Sequence, residues 1–234
     1  MRYKSLCGYA VDEARLPKAR KIESVLLDSL KSKEKYLSDR HIVDIGCGTG
    51  HISVYFSKRN RLSATDVVDQ LSVDTRGKVA FVKSAAEKLP FPDQMFDIAI
   101  LNHVIAHTRS QIQLLAEIFR ILKTDGRCYA ANPNRFYPIE PFYRIPLLHY
   151  LPNSMFLHIA GYLRKDIEDV YLLSYISLKR LCKRAGFEVD DYTARVINEP
   201  DKYFSEFKLP FSIKVPELAT IISPTNIFIL RKPI

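Results

Sequence analysis

Three glycines at positions 46, 48 and 50 separate a short apolar run, His41 to Ile45, from a second apolar cluster at Ile52, Val54, Tyr55 and Phe56. Glycine reaches positive φ at no steric cost, so this triplet lets the chain turn sharply and lets a ligand lie against bare backbone. A short buried strand ended by such a turn and followed by helical spacing is a strand–turn–helix unit. The rest of the chain must be arranged around it.

Upstream, apolar Ile22, Val25, Leu26 and Leu30 recur every three or four residues among charges, which predicts an amphipathic helix between Ala14 and Leu37. Downstream, short apolar runs bounded by turn residues predict strands at Leu62 to Thr65, Val79 to Val82, Phe96 to Leu101 and Arg127 to Ala131, with a helix from Gln111 to Lys123. Strands alternating with helices imply parallel pairing with crossovers on both faces, hence a doubly wound α/β sheet. The crossover from 67 to 78 has 12 residues, near the floor of roughly 10 to 12, so its helix is a turn or two at most. A helix from Ser174 to Arg184 ends at Gly186, and strands at Phe187 to Val196 and Asn226 to Leu230 close the sheet with an antiparallel edge. The expectation is a single domain of seven strands. It has an N-terminal helical segment (1–40), a ligand-binding core (41–132), an inserted cap (133–170) and a C-terminal part of the sheet (171–234).

Composition narrows the class. An apolar content of 47% with 26% charged residues describes a globular chain. No apolar stretch approaches the ~20 residues of a membrane-spanning helix, and the N-terminus lacks the apolar core of a signal peptide, so a cytoplasmic location is expected. Cysteines at 7, 47, 128 and 182 are too scattered for a metal clip or a disulfide framework. The formal charge of +9 favours phosphate-rich partners if clustered. Its short runs at Lys18 to Lys21 and Lys179 to Arg184 alternate with apolar residues, however, and a solvated helix face accounts for them.

The glycine spacing discriminates among ligands. A dinucleotide fingerprint, G-x-G-x-x-G, wants its third glycine at 51, where this chain has His51, and no Gly-Lys-Ser/Thr follows the turn to make a P-loop. Asp44, just ahead of the glycines, would repel a pyrophosphate but suits the ammonium of an amino-acid-bearing nucleoside. Asp66 ends the second strand, 22 residues beyond Asp44, where a carboxylate accepts hydrogen bonds from both hydroxyls of a ribose.

With these residues in place, the sequence resembles a class I S-adenosylmethionine-dependent methyltransferase of the small-molecule branch akin to the ubiquinone and menaquinone methyltransferases. Beyond the glycine turn, the block Ala85 to Asp93 followed by Phe96-Asp97 is similar to that family's acidic, L-P-F, F-D block. Leu101 to His107 is similar to the stretch after its fourth strand, and Glu117 to Gly126 to its E-x-x-R-x-L-K-x-x-G helix end. The resemblance spans about residues 41 to 132. It implies S-adenosyl-L-methionine as cofactor, with Gly46, Cys47 and Gly48 against its methionine part and Asp44 and Gly50 in the same cofactor-binding set. It further implies Asp66 on the ribose, Val67 beside the adenine and Asn102 on the methionine side. Ala85 stands where the family often carries an acidic residue, which leaves backbone groups of Ala86 and Glu87 to read the base.

Methyl transfer needs acceptor and donor aligned in a site shielded from water, and a hydroxyl acceptor also needs a base. His103 and His107, four residues apart, share one face if the segment is helical, and that face opens at the carboxyl end of the fourth strand. Each is a candidate base, and each also reads as a histidine that only bonds to backbone and fixes the turn, His107 more so than His103. In the cap, Tyr137, Glu140, Tyr143, Arg144 and His149 offer polar contacts among aromatics and prolines. The stretch Ile145 to Leu163 is apolar enough to admit a lipid-linked acceptor and to rest on a membrane surface. O-methylation of a small or lipid-linked acceptor is the first reading. RNA methylation, carried by the charge, and a non-catalytic cofactor-binding partner protein are the alternatives.

Overall fold

A computed structural model describes residues 15–139, 170–204 and 215–234, with single positions 147, 150, 151, 155, 158 and 162 between them. Helix α1, Leu16–Ser29, starts with Pro17 in its first turn, where a missing N–H is harmless, and buries Ala19, Ile22, Val25 and Leu26. It stops short of the expected Leu37 because Lys31 takes a left-handed φ of 52°. Leu37 returns to the core on its own, its N–H donating to Glu23 at 2.9 Å.

Strands β1 (His41–Ile45), β2 (Arg61–Asp66), β3 (Ala80–Lys83), β4 (Phe96–Asn102), β5 (Leu122–Pro133), β6 (Glu188–Asp191) and β7 (Thr225–Arg231) form one sheet in the order β3-β2-β1-β4-β5-β7-β6. Pairings among β1 to β5 are parallel, and β7 runs antiparallel between β5 and β6. Buried on both faces, the central strands read as unbroken apolar runs. Helices α2 (His51–Ser57), α3 (Gln111–Ile121), α4 (Tyr175–Arg184), α5 (Thr193–Asn198) and α6 (Pro200–Tyr203) complete the layers. Leu114, Leu115 and Ile118 of α3 with Leu178 and Cys182 of α4 cover Val43, Ile45, Ala99, Leu101, Ala130 and Phe228. On the other face α1, α2, α5 and α6 cover Ile42, Ile98, Ile100, Tyr129, Ala131 and Ile229.

Three expectations need correction. The helix expected to Lys123 ends at Ile121, and Leu122 is already extended and pairs with Phe96, so β5 begins well before Arg127. The strand expected from Phe187 to Val196 ends at Asp191, whose carboxylate accepts from the Thr193 N–H at 2.8 Å and turns the chain into α5. Tyr192 and Val196, four apart, then pack on one side of that helix, a period that β-branched composition disguised. The crossover after β2 holds turns rather than a helix. It is anchored by Thr75 Oγ1 donating to the Thr49 carbonyl at 2.7 Å and by a two-pronged Arg76–Asp69 pair at 2.8 and 2.9 Å.

Candidate active site

The sheet order reverses between β1 and β4, because the chain runs outward through β2 and β3 and then returns to the far side of β1. Ligands of open α/β sheets lie at the carboxyl ends of the strands at such a switch point. Two loops meet there, the glycine turn after β1 and the segment Asn102–Val104 after β4.

The three glycines are needed for different reasons. Gly46 has φ 70°, and a Cβ on it would fall 2.3 Å from Val104 Cγ2. Gly50, at φ 82°, would press 2.6 Å against Leu71 Cδ2. Gly48, at φ 53°, has nothing within 4 Å of that position, so its bare backbone faces open space. The turn is pinned to β2 by the Gly46 and Cys47 N–H groups, which donate to the Thr65 carbonyl at 2.8 and 3.1 Å. Burial raises the Cys47 thiol far above its ordinary range, with Asp44 and Asp66 adding to the effect, so it stays neutral.

Asp66 holds the geometry together. One carboxylate oxygen accepts from the Gly48 N–H at 2.8 Å and the other from Val68 at 3.4 Å. A carboxylate has about four acceptor positions, and this half-buried one retains capacity for further donors. Its own carbonyl accepts from the Ser84 N–H at 2.9 Å, which hangs the turn containing Ala86 and Glu87 beside it. Val67, next in sequence, is 56% exposed, an apolar side chain at the mouth of the cleft. Thr65 Oγ1 is buried beneath the turn with no hydrogen-bond partner. Open backbone at Gly48, an acceptor at Asp66 and a backbone turn at Ala86–Glu87 fit a nucleoside with an amino-acid end.

Asp44 has another position. Residues alternate across a strand, so Asp44 shares a face with Ile42 and points toward α2, where Ser53 Oγ donates to it at 2.5 Å. It is 3% exposed, and burial pushes its carboxyl up to about 7, Ser53 opposing and Asp66 adding. The folded-state value exceeds the unfolded one, so the native chain keeps this proton between about pH 4 and 7 while the unfolded chain has released it. Stability therefore falls as pH rises through that window. Between pH 5 and 8 the wild type is expected to lose about 2–3 kcal/mol more than Asp44→Asn, from urea midpoints. Parallel pH profiles for the two proteins would remove Asp44 as the cause.

After β4 the expected shared face of His103 and His107 does not form. His103 has a left-handed φ of 63° and donates its N–H to the Ala131 carbonyl at 2.8 Å, while Val104 wedges under Gly46. His107 is exposed, at the end of a 3-10 turn spanning Ile105–His107. Asn102 and His103 are half-buried at the rim of the switch point. Burial, followed by the charges of Lys18, Lys21, His107 and Arg15, pulls the His103 imidazole down to about 4.

The E-x-x-R segment is a scaffold for one wall. Arg120 forks onto Glu117 at 2.8 and 2.9 Å and donates to the Phe91 carbonyl, the Leu89 carbonyl and Asp93 at 2.7, 3.0 and 2.7 Å. Glu117 also accepts from the Leu89 N–H at 2.8 Å. This ties the Leu-Pro-Phe loop to α3. Among the cap residues, Tyr137 is half-buried and its N–H donates to the Asn134 carbonyl at 3.2 Å, while Glu140, Tyr143, Arg144 and His149 lie outside the described residues. The sequence reading missed Ser53, Thr65 and Val104. Ser53 alone carried a signal, as a polar residue on the inward face of a predicted helix.

Residues 43–130 match the family described as a methyltransferase domain. The chain is 27% identical over 172 residues to the ubiquinone/menaquinone biosynthesis C-methyltransferase UbiE of Photorhabdus laumondii, covering 66% of this chain and 68% of that one. Among solved structures it resembles an S-adenosylmethionine-dependent methyltransferase of Thermotoga maritima, a possible histamine N-methyltransferase, with TM-score 0.59 and 20% identity over 94% of this chain and 90% of that one. It also resembles 1,6-didemethyltoxoflavin-N1-methyltransferase of Burkholderia thailandensis, solved with bound 1,6-didemethyltoxoflavin and S-adenosylhomocysteine, with TM-score 0.55 and 18% identity over 92% of this chain and 78% of that one. The names of these proteins point to different acceptor atoms, carbon and nitrogen, so the shared fold does not choose among them.

Proposed function

Because the chain belongs to the S-adenosylmethionine-dependent methyltransferases, we propose that it methylates a hydroxyl-bearing small or lipid-linked acceptor, with His103 taking the hydroxyl proton. When bound, S-adenosylmethionine supplies an electrophilic methyl group on a positively charged sulfur. The bare backbone of Gly46–Gly48 and the side chain of Asn102 hold the methionine end, with Asp44 beneath the turn and Gly50 shaping it. Asp66 takes the ribose hydroxyls, Val67 lies along the adenine, and backbone groups of Ala86 and Glu87 read its edge.

One observation supports the proton role most directly. His103 is held by a backbone hydrogen bond at the carboxyl end of β4, half-buried at the rim of the switch point. A neutral ring accepts a proton, and its half-buried position shields the transfer from water. His107, the other candidate base, lies exposed at the end of the neighbouring turn.

The name of the UbiE relative, a C-methyltransferase, favours a second reading, methyl transfer to a carbon atom of the acceptor. The lipid-linked and membrane-surface parts draw on the insert, where Leu147, Met155 and Tyr162 are 58%, 52% and 92% exposed. Among the described residues no helix is long and apolar enough to cross a membrane.

The test is incubation with ¹³C-methyl donor and panels of phenols, prenylated hydroquinones and RNA. A methyl ether supports the first reading, a carbon-bound methyl the second, and labelled RNA alone would overturn both. Flotation with anionic vesicles checks the membrane part, which falls if the protein stays in the dense fraction.

A further inference from the structure

Three buried asparagines stand at one end of the sheet, and only one of them is fully partnered. Asn134, just past β5, donates its amide to the Ile221 and Ser223 carbonyls at 2.7 and 2.9 Å and accepts from the Phe136 N–H at 3.1 Å. Asn132 on β5 and Asn226 on β7 stand opposite each other in the antiparallel pair, and each is 0% exposed. Asn132 Nδ2 donates to the Pro133 carbonyl at 2.9 Å, but its Oδ1 has no partner, and Asn226 has none at either Nδ2 or Oδ1. Opposed side chains of such a pair are close enough to interact. A single bond between these two would satisfy Asn132 Oδ1 and Asn226 Nδ2 and still leave Asn226 Oδ1 alone. Buried polar groups are nearly always hydrogen-bonded, so unpartnered atoms on two opposed residues need a cause.

Their position supplies one. Alternation along the strands puts Asn132 on the face of Cys128 and Ala130, and Asn226 on that of Phe228 and Leu230, the side covered by α3 and α4. Ala131, the residue before Asn132, accepts the His103 N–H at 2.8 Å. Neighbouring strands lie ~4.8 Å apart, so Asn132 is one strand from the end of β4 and Asn226 is two. Across this corner runs the segment Tyr171–Leu173, strapped to the loops that follow β4 and β5. The Tyr171 N–H donates to the Ala106 carbonyl at 2.7 Å, the Tyr171 carbonyl accepts from Gln111 Nε2 at 2.8 Å, and the Leu173 carbonyl accepts from the Arg135 N–H at 3.1 Å. Leu173 packs against the apolar cluster that contains Ile105, Ala130 and Phe228. Apolar walls around a few polar atoms are how sites for small molecules are built.

We propose that Asn132 and Asn226 bind a second, non-reacting hydroxyl of the methyl acceptor, which enters beneath the Tyr171–Leu173 strap with its reacting hydroxyl toward His103. This rests on the hydroxyl-bearing acceptor proposed above and adds what such an acceptor must carry. The chemistry of the two amides selects the group. Asn226 offers N–H donors, both residues offer a carbonyl oxygen, and none of these atoms is charged. A carboxylate or phosphate would press its oxygens on theirs, and an ammonium would meet the Asn226 NH₂. A hydroxyl donates and accepts, and so satisfies both kinds of atom at once. Both amides are closed from solvent, so the strap parts to admit the acceptor and closes over it. An acceptor of the same shape without this hydroxyl would leave the buried amides unpaired, which discriminates far more sharply than a loose apolar fit.

The test follows the side-chain NH₂ signals of Asn132 and Asn226 by NMR in the ¹⁵N-labelled full chain, each assigned by its loss in Asn132→Leu or Asn226→Leu. Phenol and toluene, alike in shape but for the hydroxyl, are titrated separately. Phenol should shift both signals saturably and bind at least ~10-fold more tightly than toluene, the least that pairing a buried amide with a hydroxyl implies. In Asn226→Leu, read from the Asn132 signal, that preference should vanish. Asn132→Leu, read from the Asn226 signal, serves if the first variant does not fold. Signals that neither compound moves, or that both move equally, overturn the proposal, and the amides are then satisfied by buried water alone. A preference for phenol that survives in the variants overturns it as well. Transfer of a ¹³C-methyl group from the donor separates this idea from the function it rests on. A methyl ether formed on phenol while both amide signals stay in place defeats the asparagine site alone. Shifted amide signals with no label on any hydroxyl acceptor defeat the O-methylation reading and leave the asparagines as a hydroxyl site.

Discussion

Gly46→Ala is expected to lower stability by about 2–4 kcal/mol and to abolish measurable S-adenosylhomocysteine binding. Two effects add. The residue occupies φ 70°, which alanine adopts only under strain, and its new methyl would meet Val104 Cγ2 at 2.3 Å. Backbone movement cannot relieve the contact cheaply, because the Gly46 N–H is bound to the Thr65 carbonyl at 2.8 Å. Val104→Ala in the same protein should restore part of the stability. Gly48→Ala is the informative contrast. Nothing of the protein lies within 4 Å of its new methyl, so the fold loses only about 1 kcal/mol from the positive φ. The methyl projects into the space assigned to the cofactor, and affinity should fall at least ~10-fold, about 1.4 kcal/mol. Thermal melts and calorimetry measure both. A Gly48→Ala protein with native affinity would show that this backbone is not where the ligand lies.

His103→Ala is expected to reduce turnover on a hydroxyl acceptor by roughly 10² to 10⁴ with cofactor affinity nearly unchanged. The selectivity follows from position. His103 hangs from β5 through its N–H to Ala131 and touches neither the glycine turn nor Asp66 by hydrogen bond, whereas Val104 beside it does the packing under Gly46. His107→Ala, an exposed position, should retain most activity. The pH profiles carry a second signature. With the free ring pulled down to about 4, kcat/KM should stay level from about pH 6 to 8 and fall only in acid as the ring protonates. A mild, pH-independent loss in His103→Ala would return the residue to a structural role.

How much of this was legible in the sequence depended on whether a local rule or a distant partner set each feature. The central strands were visible because burial on both faces makes them continuous apolar runs, and the glycine turn because three positive-φ residues in five need glycine. The direction of Asp44 was available from strand parity with Ile42, yet its charge suggested a ligand where the fold supplies Ser53. Thr193–Asn198 was lost because β-branched residues filled a helix whose start depends on Asp191. The left-handed turn at His103 has no local signal, since it is imposed by Ala131 and Val104. The Glu117 and Arg120 spacing was plain, but its partners Leu89, Phe91 and Asp93 lie 27 to 31 residues away from Arg120.

Calorimetric titration of S-adenosylhomocysteine into the wild type and Asp66→Ala probes the pairing of a bare turn with a ribose carboxylate most directly. One equivalent should bind to the wild type, and the variant should bind more weakly by on the order of 1–3 kcal/mol, about 5- to 150-fold, from lost charged hydrogen bonds. Equal affinities in the two proteins, or no binding to either while NAD binds, would contradict it.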